Sequence, residues 1–140
     1  MKKYIALLSL CLLTMFASAQ STTPRYGTTP NSDNTGRVLT YKYQAKAYAD
    51  TIKITPSAWL TNVKAAQLTG NAIVIVQSTA YSYYGDQIVF TFTADGSART
   101  LTFVTNMIAS ATLVVDSAQS ATISFMFNGT KFIETARAKE

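Results

Sequence analysis

The side chains that most often perform acid–base or metal chemistry are scarce in this sequence. It contains no histidine, which is the commonest general base and metal ligand. Its single cysteine, Cys11, lies in an apolar run near the N-terminus. The carboxylates are therefore the main candidates for chemistry, and they are seven: Asp33, Asp50, Asp86, Asp95, Asp116, Glu134 and Glu140.

Asp86 and Asp95 flank a single predicted strand and therefore lie at its opposite ends. A strand of that length spans about 30 Å, whereas the two carboxyl groups of a glycosidase lie about 5 to 10 Å apart. Several other acids fall in predicted turns, where aspartate has a structural role. The sequence also has no phosphate-binding loop, zinc-ligand spacing or calcium-loop pattern. We therefore predict a protein that is not an enzyme and has no catalytic, cofactor-binding or metal-binding residues.

Two short stretches remain as candidate contact sites. Tyr81, Tyr83 and Tyr84 combine aromatic area with hydroxyl groups, as tyrosines at binding surfaces do. The alternative is that one or two of these tyrosines belong to the core or its rim. Asn128-Gly129-Thr130 has the spelling of an N-glycosylation site, but a tight turn explains it fully and is the interpretation we favour.

The N-terminal residues 1–19 have the pattern of a secretory signal peptide. Lys2 and Lys3 precede an apolar run, and Ala17-Ser18-Ala19 fits the small-residue cleavage rule, which would make Gln20 the new N-terminus. A retained membrane anchor is the alternative, although the run is short for a span. After cleavage we expect no stable membrane span, no cysteine and hence no disulfide.

The remaining chain is predicted to hold one domain. Residues 20–36 are rich in Thr, Pro, Asn and Gly, which predicts a flexible N-terminal arm, and residues 37–140 form the folded domain. The arm is either a disordered stub or a segment that docks on a neighbouring subunit. The net charge of +5 is modest and its basic residues are scattered, so no nucleic-acid partner is expected.

Two predicted hairpins organise residues 85–137. The first joins IVFTFTA to RTLTFV across Asp95-Gly96, and the second joins ATISFMF to KFIETA across Asn128-Gly129. Both dipeptides readily adopt the positive φ of tight turns, and we expect a two-residue type I′ turn at the second. The flanking residues alternate with period two, which predicts half-buried strands.

Further strands are predicted at residues 37–43, 51–55, 59–65, 72–76 and 111–115. With the hairpins this gives eight or nine strands at a spacing of about ten residues, and no convincing helix outside the leader. The predicted fold class is therefore all-β: an antiparallel, jelly-roll-like β-sandwich that follows an N-terminal signal-like helix. Its core is expected to contain Phe90, Phe125 and Phe127, and its edge strands to be blunted by lysine. The lysines in question are Lys42, Lys53 and Lys131.

Three stretches of the C-terminal half form one combined pattern. A strand, Asp-Gly and a second strand occupy residues 90–103, ATLVV occupies residues 111–115, and FMFNGTKFIE lies within residues 125–137. This combination resembles modules of bacteriophage tail- and head-fibre proteins and of virion decoration proteins from phages of Bacteroidetes hosts. Such families often have tryptophan where this chain has Phe132. The leader is a larger departure, because a virion protein assembled in the cytoplasm normally needs no export signal, and ASAQ is similar to the signal peptides of Bacteroidetes.

The resemblance implies a non-enzymatic structural or decoration protein on the virion surface, in a fibre or capsid appendage. It also implies a homo-oligomer, with a trimer as the first guess, that contacts other virion proteins. The alternative hypothesis is a secreted, extracellular or periplasmic bacterial module or adhesin. That module would bind a cell-surface glycan through the Tyr81, Tyr83 and Tyr84 loop.

Overall fold

The computed structural model describes residues 40–140. The signal peptide predicted at residues 1–19 and the arm predicted at residues 20–36 lie outside the described residues. Ten strands make up the ordered elements of the described part. They are β1 (Tyr41–Lys46), β2 (Thr51–Ile54), β3 (Leu60–Ala65), β4 (Ala72–Val76), β5 (Gln87–Thr93), β6 (Arg99–Val104), β7 (Met107–Ile108), β8 (Leu113–Val115), β9 (Ser120–Phe127) and β10 (Phe132–Lys139).

The strands form two sheets, and successive strands of the N-terminal half alternate between them. One sheet has six strands in the order β1-β3-β5-β9-β10-β7, and the other has four in the order β2-β4-β6-β8. Each pair β1–β2, β3–β4 and β5–β6 makes one turn of the chain, and the turns stack in parallel register. The described chain is therefore an all-β solenoid of about three turns.

This architecture corrects the predicted antiparallel, jelly-roll-like sandwich. Four strand pairs of the stacked turns are parallel, for example Tyr41 beside Leu60 and Leu60 beside Gln87. Antiparallel pairing begins only after the third turn, where β9 lies on β5 and β8 lies on β6. The chain thus reverses direction there and covers one end of the solenoid, leaving β1 and β2 at the other end.

The first predicted hairpin does not form. Asp95 and Gly96 lie at a corner that carries the chain from β5 in the six-stranded sheet to β6 in the four-stranded sheet. The Asp95 carboxylate accepts the Ser97 N–H at 3.1 Å and two N–H groups of Arg99, from Nε at 2.8 Å and Nη2 at 2.6 Å. The dipeptide therefore marks a change of chain direction, but β5 and β6 pair with other strands and not with each other.

The second predicted hairpin joins β9 and β10, which are antiparallel, but its turn differs from the expected one. Residues 128–131 separate the paired Phe127 and Phe132, and the Asn128 carboxamide oxygen accepts the N–H groups of Thr130 and Lys131 at 3.0 and 2.8 Å. Gly129 has a φ of 93° whereas Asn128 is not among the positive-φ residues. A type I′ turn needs both at positive φ, so that part of the prediction is wrong.

The core lies between the two sheets and is filled by alternate residues of each strand. Phe90, Phe125 and Phe127 are buried, as predicted, and so are Ile52 and Ile54 of β2. Aromatic rings contact one another within the six-stranded sheet, where the Phe90 and Phe125 centroids are 5.9 Å apart, and across the two sheets, where the Phe103 and Phe125 centroids are 5.1 Å apart. Such edge-to-face and tilted contacts add stability beyond the apolar area that they bury.

Candidate functional site at the open end of the solenoid

The three tyrosines singled out from the sequence do not share one surface. They lie between β4 and β5, where the side chains of Tyr81 and Tyr84 are 68% and 62% exposed but Tyr83 is buried at 7%. The Tyr83 N–H donates to the Asp86 carboxylate at 2.9 Å, and Asp86 is itself buried. Tyr83 therefore belongs to the core, as the alternative interpretation held, and only Tyr81 and Tyr84 are open to solvent.

We use the term open end for the first turn of the solenoid, strands β1 and β2. Among residues 40–140, each of these strands has a paired strand on one side only. The Leu60 N–H donates to the Thr40 carbonyl at 3.1 Å and the Ala66 N–H donates to the Lys46 carbonyl at 2.6 Å. Because alternate residues of a parallel strand point their backbone groups to the same side, the N–H and C=O groups of Tyr41, Tyr43 and Ala45 point away from β3.

The inward row of β1 is polar, unlike the inward rows of the following turns. Lys42, Gln44 and Lys46 stand beside the buried β3 residues Thr61, Val63 and Ala65 in the strand register. Two of these side chains are anchored: Lys42 Nζ donates to Ser57 Oγ at 2.9 Å, and Gln44 Nε2 donates to the Thr55 carbonyl at 3.3 Å. The first turn thus ends the apolar core with a polar layer, as terminal turns of solenoids do.

A depression of about 530 Å³ opens beside the start of β1, and we call it the tyrosine groove. The exposed rings of Tyr41 and Tyr81 belong to its lining. Its full lining is Thr40, Tyr41, Lys42, Ser57, Ala58 and Tyr81. The Asn62 side-chain amide donates to the Tyr41 hydroxyl at 3.1 Å, which fixes the position of this ring. Two aromatic rings, a hydroxyl and an ammonium group thus meet at one surface.

A second, shallower depression of about 380 Å³ lies at the other end of β1. Lys46 and Lys64 belong to its lining together with Tyr43 and four alanines. The two depressions therefore flank the same edge strand.

The open end is basic. The first three strands carry Lys42, Lys46, Lys53 and Lys64, whereas residues 40–65 contain one carboxylate, Asp50. That carboxylate already accepts the Tyr48 hydroxyl at 3.0 Å. As expected from the sequence, Lys42 and Lys53 lie on edge strands, while Lys131 lies in the connection from β9 to β10.

Three acidic residues elsewhere in the described chain already have basic partners. Asp95 pairs with Arg99 and Glu134 with Arg137, each at 2.6 Å, and Asp116 pairs with Lys139 at 3.5 Å. The hydrogen bond from Arg99 is the largest cause that lowers the pKa of Asp95 below its ordinary value. These pairs lie on β6, on β10 and in the connections from β5 to β6 and from β8 to β9, so their carboxylates do not offset the lysines of the open end.

The described residues bring together few groups with chemical reactivity. Within 40–140 no three His, Cys, Asp or Glu side chains are grouped as a metal site would require. The Thr61 and Ser82 hydroxyls are buried and have no hydrogen-bond partner in the described part of the chain. The described part also has no helix of the length and apolar character that crossing a membrane would need. What the open end does offer is binding chemistry: backbone hydrogen bonds, aromatic faces and positive charge.

Neither a protein-family model nor a curated protein matches this chain.

Sequence reasoning found part of this site. Tyr81 was predicted as a contact residue and Lys42 as an edge residue, but their proximity was not foreseen. Tyr41 was predicted on a strand without a binding role. The signal that could have found the open end is the row of lysine, glutamine and lysine at alternate positions of β1. A polar row on the inward face indicates that the strand is the terminal one of its sheet.

Proposed function

We propose that this protein is a non-enzymatic structural module that joins other chains through the open end of its solenoid. The observation that carries this proposal is the edge of β1, where Tyr41, Tyr43 and Ala45 direct their backbone N–H and C=O groups away from β3 and no strand among residues 40–140 pairs with them. A sheet edge of this kind can receive an additional strand, and its lysines oppose pairing with like-charged strands but not with oppositely charged ones. The β1 edge has six residues, long enough to hold such a strand.

The setting we propose is a virion appendage, in which the chain would serve as a fibre or decoration module. The support for this setting is the resemblance of residues 90–103, 111–115 and 125–137 to such modules. A secreted location remains the alternative, and it is supported by the signal-peptide pattern of residues 1–19.

Tyr43→Pro tests the structural role directly. Because the Tyr43 N–H points away from β3, proline removes a donor of the free edge and none of the donors that bond β1 to β3. We expect full-length Tyr43→Pro protein to be lost from purified native assemblies that retain the wild type. The control is Lys131→Ala, which lies far from the open end. Tyr84→Pro is not a suitable control, because Tyr84 lies in a folded loop. Equal recovery of wild type and Tyr43→Pro would overturn the proposal.

A second candidate function is glycan binding, and the tyrosine groove favours it specifically. Aromatic faces stack on sugar rings, and Tyr41 and Tyr81 present two such faces at one depression. Glycan-array binding by the wild type, lost in Tyr41→Ala and Tyr81→Ala but kept in Tyr84→Ala, is the expected pattern. Absence of binding, or equal loss in Tyr84→Ala, would count against this function.

A further inference from the structure

The inward row of β1 restricts what can lie next to it. In the stacked turns, the column that begins at Gln44 continues through Val63 and Phe90, and the column that begins at Lys42 continues through Thr61 and Ile88. Polarity thus decreases from the open end into the core. A strand added to β1 would place alternate side chains directly beside Lys42, Gln44 and Lys46. Apolar side chains there would bury ammonium groups without compensation, so the added strand must be polar on this face.

The charge of the open end specifies the kind of polar residue. Lys42 and Lys46 flank Gln44 on the inward row, Lys64 lies on the neighbouring strand, and Lys53 lies on β2. In the described chain none of these four lysines has an ion-pair partner within salt-bridge distance. Opposite charges at directly neighbouring strand positions are favourable, whereas like charges are unfavourable. Carboxylates at alternate positions therefore fit this edge best.

A second copy of this chain fits the same edge poorly. Pairing β1 with β1 in antiparallel fashion, with matching faces, would set Lys42 and Lys46 of one copy against the same inward row of the other. The chain's own residues 21–39 fit no better, because they contain two arginines and two prolines but one acid, Asp33. Proline cannot donate to a strand ladder, and the charge balance has the wrong sign.

We infer that β1 accepts, as an added strand, an extended acidic segment of another protein whose carboxylates alternate along the segment. This inference rests on the proposed joining role of the open end and names the chemistry of its partner. Backbone groups of Tyr41, Tyr43 and Ala45 form the new ladder, and Lys42 and Lys46 pair with the carboxylates. Binding of this type combines main-chain hydrogen bonds, which give affinity, with alternate side-chain positions, which give selectivity.

A synthetic probe tests the inference with the full chain. The probe is a short fluorescein-labelled peptide in which glutamate alternates with threonine, and its binding is followed by fluorescence anisotropy. We expect saturable binding that weakens as salt rises, because screening reduces the attraction between exposed charges. The matched peptide with glutamine in place of glutamate should bind at least about fivefold more weakly, since each exposed ion pair contributes modestly.

Two variants and one modified peptide separate strand addition from general charge attraction. Lys42→Glu with Lys46→Glu should abolish binding, whereas Lys131→Glu, which makes the same change of charge away from the open end, should retain it. The acidic peptide methylated at alternate backbone nitrogens keeps its charge but cannot form the ladder, so it should not bind. Equal binding of the methylated peptide, or of polygalacturonate at matched charge, would overturn the inference.

The peptide-binding assay and the recovery of Tyr43→Pro in native assemblies together distinguish failure of this inference from failure of the proposed function. If the acidic peptide does not bind but Tyr43→Pro is still lost from native assemblies, the open end joins chains and its partner is not an acidic strand. If Tyr43→Pro is retained in assemblies, the joining role itself is refuted. Circular dichroism of each variant checks that the β-structure is intact, and Ala45→Pro, which removes another outward N–H of β1, serves as the edge variant if Tyr43→Pro does not fold.

Discussion

The Glu134 carboxylate accepts hydrogen bonds that stabilise the end of the solenoid covered by the C-terminal strands. Arg137 donates to it through Nε at 2.6 Å and Nη2 at 2.7 Å, and Ser110 donates through its N–H at 2.7 Å and its hydroxyl at 3.0 Å. Arg137 also donates to the carbonyl groups of Ala111 and Thr112. The pair therefore ties β10 to the segment that leads into β8. The register of β10 shifts between Glu134 and Ala136, which places both charged side chains on this same side.

The Glu134 network predicts a specific acid dependence of stability. The hydrogen bonds from Arg137 are the main cause that lowers the pKa of Glu134 from 4.5 to about 2, and burial opposes them. Because the folded state binds the proton less readily than the unfolded chain, the stabilisation is complete above pH 4.5. It is lost as the pH falls through 4.5 toward 2. Glu134→Gln should therefore lower the free energy of unfolding at pH 7 and flatten its decline across that window.

Urea unfolding at a series of pH values measures this effect. Glu140→Gln serves as the control, because it makes the same chemical change at the exposed residue that follows β10. If Glu134→Gln and wild type lose stability in parallel from pH 5 to pH 2, the network does not stabilise the fold as we describe.

Gly129 and Gly96 offer a second comparison at the scale of single residues. Gly129 has a φ of 93°, which residues with a Cβ atom adopt only with strain. Gly96 is not among the positive-φ residues, and an added Cβ there would meet nothing within 4 Å. We expect Gly129→Ala to lower stability by about 1 to 2 kcal/mol and Gly96→Ala to leave it nearly unchanged. Equal midpoints in thermal unfolding would contradict the turn geometry.

At the scale of elements, the corners decide how the turns stack. Tyr48, at the corner between β1 and β2, lies over Gly70 at the next corner, and its hydroxyl donates to the Asp50 carboxylate at 3.0 Å and the Asn71 carbonyl at 3.3 Å. The Asn71 side chain in turn accepts the Thr100 N–H at 2.8 Å from the third turn. Burial, followed by the hydrogen bond to Asp50, raises the pKa of Tyr48.

Gly70→Ala tests this stacking. A Cβ at position 70 would collide with the Tyr48 hydroxyl, so the Tyr48 side chain or the two corners would have to shift. We expect a loss of about 1 to 3 kcal/mol, as for other substitutions that overpack a close contact. Adding Tyr48→Phe, which removes the colliding oxygen, should reduce that loss. If the two effects are simply additive in denaturant unfolding, Tyr48 and Gly70 do not contact each other as described.

The sequence identified most strands and their buried faces but paired them wrongly. Alternation in TIKI and IVFTF indicates which residues face the core, and the buried Ile52 and Phe90 agree with it. Alternation is the same whether a neighbouring strand is parallel or antiparallel, so it contains no information about the partner. Asp95-Gly96 suggests a hairpin by its turn preference, but the folded chain places β5 and β6 in different sheets, which that preference does not reveal.

The repeat itself was not visible in the sequence. The parallel partners Tyr41, Leu60 and Gln87 are 19 and 27 residues apart, so the spacing between turns is irregular. The corners also share no common sequence, because each uses its own contacts, such as Tyr48 over Gly70 and the Leu68–Ala94 bridge. Without a fixed period, a solenoid and a sandwich predict the same number of short strands from such a chain.

At the scale of the whole molecule, the two sheets present different outer surfaces. The outer face of the six-stranded sheet carries a row of side chains that runs across every strand. In strand order the row is Tyr41, Leu60, Gln87, Met126, Ile133 and Ile108. Ile108 is 47% exposed and Ile133 is 37% exposed. This mostly apolar row lies on the opposite face of β1 from the basic inward row, and it begins at Tyr41, whose ring also lines the tyrosine groove.

The homo-oligomer expected from the sequence, with a trimer as the first guess, stays a prediction that this row makes testable. We expect light scattering to give an oligomer for residues 20–140, and a smaller mass for Ile108→Lys because a charge at an apolar contact is costly to bury. Ile73→Lys is the matched control, since Ile73 is 44% exposed on the outer face of the other sheet. A chain starting at Arg37 tests whether the predicted arm contributes. A monomer at high micromolar concentration would refute the oligomer, and equal dissociation by Ile73→Lys would show that the row is not the interface.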